Sequence, residues 1–94
     1  MDKKEANQII NEQLKKYRSK TYKELTLLIG AEAITYEIPG KNNVKYQIEI
    51  QAFWDNKPNG DIRVSGSIDD CGLRAFFPLT EDFIKDSNNN FVGE

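Results

Sequence analysis

The chain has 94 residues, 38% of them hydrophobic and 30% charged, and a net charge of −2. This describes one soluble domain with a thin core and excludes a membrane protein, a collagen and a disordered tail. The acidic balance argues against nucleic acid as a partner, since phosphate neutralisation needs a basic excess. The absence of histidine removes the commonest general base and metal ligand. One cysteine, Cys71, cannot form an internal disulfide, which points to a cytoplasmic location. The amino-terminal residues have no apolar run behind them, so neither a leader nor a membrane anchor is expected.

The first predicted element is a helix. Asp2 and Glu5 stand at capping-box spacing, and Ala6, Ile9, Ile10, Leu14 and Tyr17 recur on one stripe, with an end expected near Arg18 to Lys20. Lys3, Lys4, Lys15, Lys16, Arg18, Lys20 and Lys23 form a basic cluster interrupted by acids and amides, the pattern of a solvated helix face. A second, short helix follows. Thr21 and Glu24 form its capping box, Tyr22, Leu25, Leu28 and Ile29 supply its apolar faces, and Gly30 is placed to stop it.

From Glu32 the period changes to two. Ile34, Tyr36 and Ile38 alternate with polar residues, then Val44, Tyr46, Ile48, Ile50, Ala52 and Trp54 form the longest alternating run. Ile62, Val64, Gly66 and Ile68 make a third strand, and Leu73, Ala75 and Phe77 a fourth. Short turns between them imply antiparallel hairpins. The expected pairs are Ile38 with Val44, Trp54 with Ile62, and Ile68 with Leu73, each of which gathers the apolar residues on one face. Thr80 is positioned to cap a short helix over 81–85, and the rest of the tail reads as turn or irregular chain.

The expected fold is α+β: an N-terminal helix and a short second helix packed on one face of a four-stranded antiparallel meander. The chain forms one domain, 1–94, helical over 1–30, sheet over 31–78 and tail over 79–94. This layout resembles that of cystatin-like domains over roughly residues 1–78. The inhibitory Gln-x-Val-x-Gly hairpin of true cystatins has its nearest counterpart in Ile62-Arg63-Val64-Ser65-Gly66, where Ile replaces Gln and the segment is mid-strand.

Chemical motifs are sparse. Cys71 lies in the turn Asp69-Asp70-Cys71-Gly72, where neighbouring carboxylates oppose a thiolate. Asp86-Ser87-Asn88-Asn89-Asn90 begins like a calcium loop, but Phe91 stands where glycine is required. No catalytic residue, metal ligand or cofactor is assigned, and the reading leans away from an enzyme. The leading expectation is a small domain that binds another protein, or a second copy of itself as a homodimer, with neither nucleic acid nor membrane as partner. Phe53, Arg63, Arg74 and Phe76 are the expected contact residues on the outer sheet face. Aromatic and Arg side chains are enriched at interface anchors, and Phe53 beside Arg63 could form a cation–π pair. The alternative is a small-molecule-binding or enzymatic domain with a pocket between helix and sheet. Tyr36, Tyr46 and Trp54 would wall it, and Glu49 or Asp69 would stand at its rim.

Overall fold

The computed structural model describes residues 2–70 and 78–94. Helix α1 spans Lys3–Arg18 and α2 spans Tyr22–Thr26; strands β1 (Ile34–Pro39), β2 (Lys45–Trp54), β3 (Ile62–Asp69) and β4 (Leu79–Lys85) form one antiparallel sheet in the order β1-β2-β3-β4. The helices cover one face. This is the expected α+β architecture.

The N-terminus of α1 is capped by Asp2, whose carboxylate accepts from the Glu5 N–H at 3.0 Å. Glu5 does not complete the box. Its carboxylate accepts instead from the Lys41 N–H at 3.0 Å and the Tyr46 hydroxyl at 2.7 Å, tying the first turn of α1 to the β1–β2 hairpin. Ala6, Ile10 and Leu14 are buried against Ile48, Ile50, Val64 and Ile68. Gly66 makes room for this contact: a Cβ there would stand 2.9 Å from Ile10 Cδ1 and 3.2 Å from Leu14 Cδ2. Close packing of this kind makes the position intolerant of larger side chains.

In α2 the capping box is complete, with Thr21 N–H donating to Glu24 Oε1 at 2.9 Å and Glu24 N–H to Thr21 Oγ1 at 3.1 Å. The Thr21 backbone N–H, and then its hydroxyl, hold the Glu24 carboxyl below the usual carboxylate range. A helix this short needs docking. Leu25 is buried, Tyr22 donates from its hydroxyl to the Gly60 carbonyl at 2.7 Å, and the Tyr22 N–H donates to Asn89 Oδ1 at 2.6 Å. Gly30 ends the segment with φ +81°.

The β2–β3 register is the expected one, from Trp54 opposite Ile62 to Ile48 opposite Ile68. The β1–β2 register differs by two residues: Ile38 pairs with Tyr46, Tyr36 with Ile48 and Ile34 with Ile50. The cause is the turn. Asn42 and Asn43 both adopt left-handed φ, 57° and 63°, and the Val44 N–H closes on the Lys41 carbonyl at 3.2 Å. Asn tolerates this conformation, so the reversal centres on residue 42 rather than on 41, where the expected register would put it. An even shift leaves every side chain on its expected face.

The fourth strand is the larger correction. Segment 79–85 is a strand rather than a helix capped by Thr80, and it takes the partners expected for 73–77. Leu79 lies opposite Ile68, Phe83 opposite Val64 and Lys85 opposite Ile62. The expected strand 73–77 lies outside the described residues. Phe83 contributes to the core that a helix would have displaced from Val64. The tail then returns along β4: Phe91 bridges to Lys85, and the Val92 N–H donates to the Ile84 carbonyl at 2.9 Å. The turn before it is closed by Asp86, whose Oδ1 accepts from the N–H groups of Asn88 and Asn90 at 2.9 and 3.0 Å. That is an Asx turn, which accounts for the calcium-like spelling without an ion.

Candidate functional site: the outer sheet face and its edge

Strand alternation sends half the sheet residues away from the helices. Four of the rows that cross this outer face are set out by the strand register. Phe53, Arg63 and Ile84 make one, and Gln51, Ser65 and Asp82 the next. Thr35, Glu49, Ser67 and Thr80 make the third, and Glu37, Gln47 and Asp69 the fourth. Phe53 is 42% exposed, more than any other aromatic among the described residues. Arg63 is held by two carboxylates. Its Nε donates to Asp55 at 2.7 Å and its NH1 to Asp82 at 2.5 Å, and these bonds, that to Asp55 first, push the guanidinium pKa up. The expected Phe53–Arg63 stacking is therefore replaced by a carboxylate–guanidinium–carboxylate bridge spanning β2, β3 and β4. Such a bridge fixes the orientation of Arg63 beside Phe53 more than it stabilises the fold.

Arg74 and Phe76 lie outside the described residues. Ile84 stands next to Arg63 on the outer face, and sequence reasoning missed it because residues 81–85 read as helix. The outer face carries Glu37, Glu49, Asp69 and Asp82 against Lys45 and Arg63. Of the basic cluster, exposed Lys3, Lys4, Lys15 and Lys16 are on α1, across the sheet.

Tyr36, Tyr46 and Trp54 all face the helices, but each has a different neighbour. The Tyr36 hydroxyl donates to Gln13 Oε1 at 2.8 Å, Tyr46 reaches Glu5, and Trp54 meets the Tyr22 ring at 6.5 Å between centroids. Tyr46 and Trp54 are eight residues apart on β2, about 26 Å along the strand. Glu49 and Asp69 stand on the opposite face of the sheet.

Tyr46 is 1% exposed, and burial, followed by the Glu5 carboxylate, pushes its pKa up to about 12. A phenol that ionises near 10 in the unfolded chain then stabilises the fold fully below that pH, and this contribution is lost as pH rises toward 12. Denaturant titrations across that window should show stability falling with pH, and Tyr46→Phe should flatten the slope. An unchanged slope in the variant would place the buried phenol elsewhere.

A cleft of about 260 Å³ opens where β1 stops short of β2. Leu28, Ala31 and Glu32 form one wall, Gln51, Ala52 and Phe53 the other, with Ile34 and Ile50 at the inner end. Its size falls just below that of ordinary small-molecule sites. Among the described residues, no group of His, Cys, Asp and Glu side chains is arranged to hold a metal ion, and no helix is long and apolar enough to cross a membrane. Searches with this chain match no protein-family model, no curated protein and no solved structure, so the expected resemblance to cystatin-like domains has no supporting structural neighbour.

Proposed function

We propose that this chain is a non-enzymatic protein-binding domain that works through the outer face of its sheet. The observation that carries the reading is the row Phe53–Arg63–Ile84: an exposed aromatic ring, a guanidinium held in place by Asp55 and Asp82, and an aliphatic side chain, side by side on three strands. Rigid aromatic and Arg groups ringed by polar residues are the usual anchors of protein interfaces. The carboxylates around the row favour a partner with a basic surface. They oppose a symmetric face-to-face dimer, in which like charges would meet. Self-association would instead set this face on the basic α1 face of a second copy, a head-to-tail contact.

The double variant Phe53→Asp plus Ile84→Asp tests the reading, because both side chains lie on the open face and neither is in the core. A folded double variant is expected to lose at least about tenfold in association, with a partner or with itself, by sedimentation and titration. Association unchanged in a folded variant would overturn the proposal.

A further inference from the structure

Among the described residues the sheet has three stretches of edge, and they are not equivalent. On β4 the tail covers one end through the Phe91 bridge and the Val92 N–H. On β1 the residues pairing with β2 begin at the Gly40–Val44 hydrogen bond of 2.7 Å. By alternation, the outward backbone groups then belong to Thr35, Glu37 and Pro39, and the last has no N–H to give. Such an edge is blunted.

The third stretch is the end of β2. Its pairing with β1 stops at Ile50, while its pairing with β3 continues to Trp54. The hydrogen bond from the Asp55 N–H to the Asp61 carbonyl, 2.8 Å, sets the alternation from the other end of the strand. Counting back from it, Phe53 and Gln51 direct their backbone groups to β3, whereas Ala52 and Trp54 direct theirs to the open side. Counting forward from Gly40–Val44 gives the same answer. Two N–H and two C=O groups thus point to the open side, with no strand of the described residues beyond them, and Ala52 lines the 260 Å³ cleft there. The cleft walls add apolar surface from Leu28, Ala31, Ile34 and Ile50, and the charged side chain lining it is Glu32.

We infer that this cleft is a strand-addition site for an extended peptide segment in which apolar and basic side chains alternate. Such a segment continues the line of β1, pairs its backbone with Ala52 and Trp54, sets an apolar side chain against Leu28 and Ala31, and brings a cation to Glu32. Backbone pairing supplies affinity in this mode and the side-chain pockets supply specificity. Complementarity to Glu32, with no cation in the lining, decides for a basic segment over an acidic one. The inference rests on the reading of the chain as a protein-binding domain and extends its surface around Phe53, which belongs to both the outer face and the cleft.

The test is an amide-resolved NMR titration with a short blocked peptide alternating valine and lysine. Bound peptide is expected to slow hydrogen exchange at the Ala52 and Trp54 amides by about tenfold. N-methylation of alternate peptide residues should abolish binding. Replacing lysine by glutamate in the peptide, or Glu32→Lys in the protein, should weaken it about threefold or more. Ala52→Pro removes an edge donor without touching the β3 ladder and should also abolish binding; the N-methylated peptide makes the same cut if that variant does not fold. Ile84→Asp, outside the cleft, should leave peptide binding intact. Failure to bind, equal binding of the glutamate peptide, or protection confined to β1 or β4 would overturn the inference. If the outer-face double variant still abolishes association in that case, the protein-binding reading stands without the edge site. Peptide protection at Ala52 and Trp54, with association untouched by Ile84→Asp, would keep the edge site and remove the outer face.

Discussion

Phe83→Ala should destabilise the protein by about 3–5 kcal/mol, the largest loss expected of a single truncation in the C-terminal third. Phe83 is 3% exposed, sits opposite Val64, and meets the Phe91 ring edge-on at 5.9 Å between centroids. Its ring also lies under the Arg18 guanidinium at 5.3 Å. Truncation therefore opens a void between β4 and α1 and removes an aromatic contact in the same step. Urea melts of the variant and the parent measure the difference directly. A loss below about 1 kcal/mol would mean that 79–85 is a peripheral segment, not a strand of the core.

Lys85→Met should cost about 1–3 kcal/mol, even though the replacement keeps the aliphatic stem. Lys85 is only 5% exposed, on the helix side of β4. Its Nζ donates to the Arg18 carbonyl at 2.7 Å and the Lys20 carbonyl at 2.6 Å, and lies 4.7 Å from the Phe91 ring centroid. The first belongs to the last residue of α1, where a helix leaves acceptors unpaired and a cation is favoured, and the second to the link that follows the helix. A hydrogen bond to a charged group contributes about 1.5–3 kcal/mol, and the desolvation of a buried ammonium removes part of what the two bonds supply. Burial, and then Arg18, accordingly pull the Lys85 pKa down, with Glu24 opposing. The net remains stabilising because the alternative leaves two carbonyls without donors. Arg18 should feel the change, since it stacks over Phe91 at 4.0 Å and pairs with Glu94, whose carboxyl it holds below the usual range. Comparing Lys85→Met with Lys85→Ala by thermal and urea unfolding separates the bonds from the stem. Equal stability of Lys85→Met and the parent would show that water serves those carbonyls as well.

Lys85 also explains where the sequence could be read and where it misled. The run from Val44 to Trp54 and the run from Ile62 to Ile68 alternate without a charge on the inner side, so only one register buries both, and the structure has it. In 79–85 the inner positions are Leu79, Glu81, Phe83 and Lys85, and two of the four are charged. A spacing of four between Leu79 and Phe83 suits a strand and a helix equally, and Thr80-Glu81-Asp82 looks like a helix start. Tertiary contacts decided the matter: β3 had an open edge, and the end of α1 and the link after it had carbonyls for Lys85 to cap. The β1–β2 shift came from the left-handed pair Asn42–Asn43, which composition marks as a turn without marking its centre. On the candidate site, Phe53 and Arg63 were legible from alternation alone. Ile84 followed the misread strand. The cleft at Ala52 was implicit in the difference in length between β1 and β2, but its wall comes from the loop after α2, whose path no period encodes.

The most direct measurement places a photo-crosslinking phenylalanine analogue at position 53 or at exposed Gln8 on α1, in cells producing the chain. From position 53, irradiation should give a covalent adduct with a second polypeptide, and Ile84→Asp should abolish it. An adduct from Gln8 alone, or none from position 53, would contradict the assignment of partner binding to the uncovered side of the sheet.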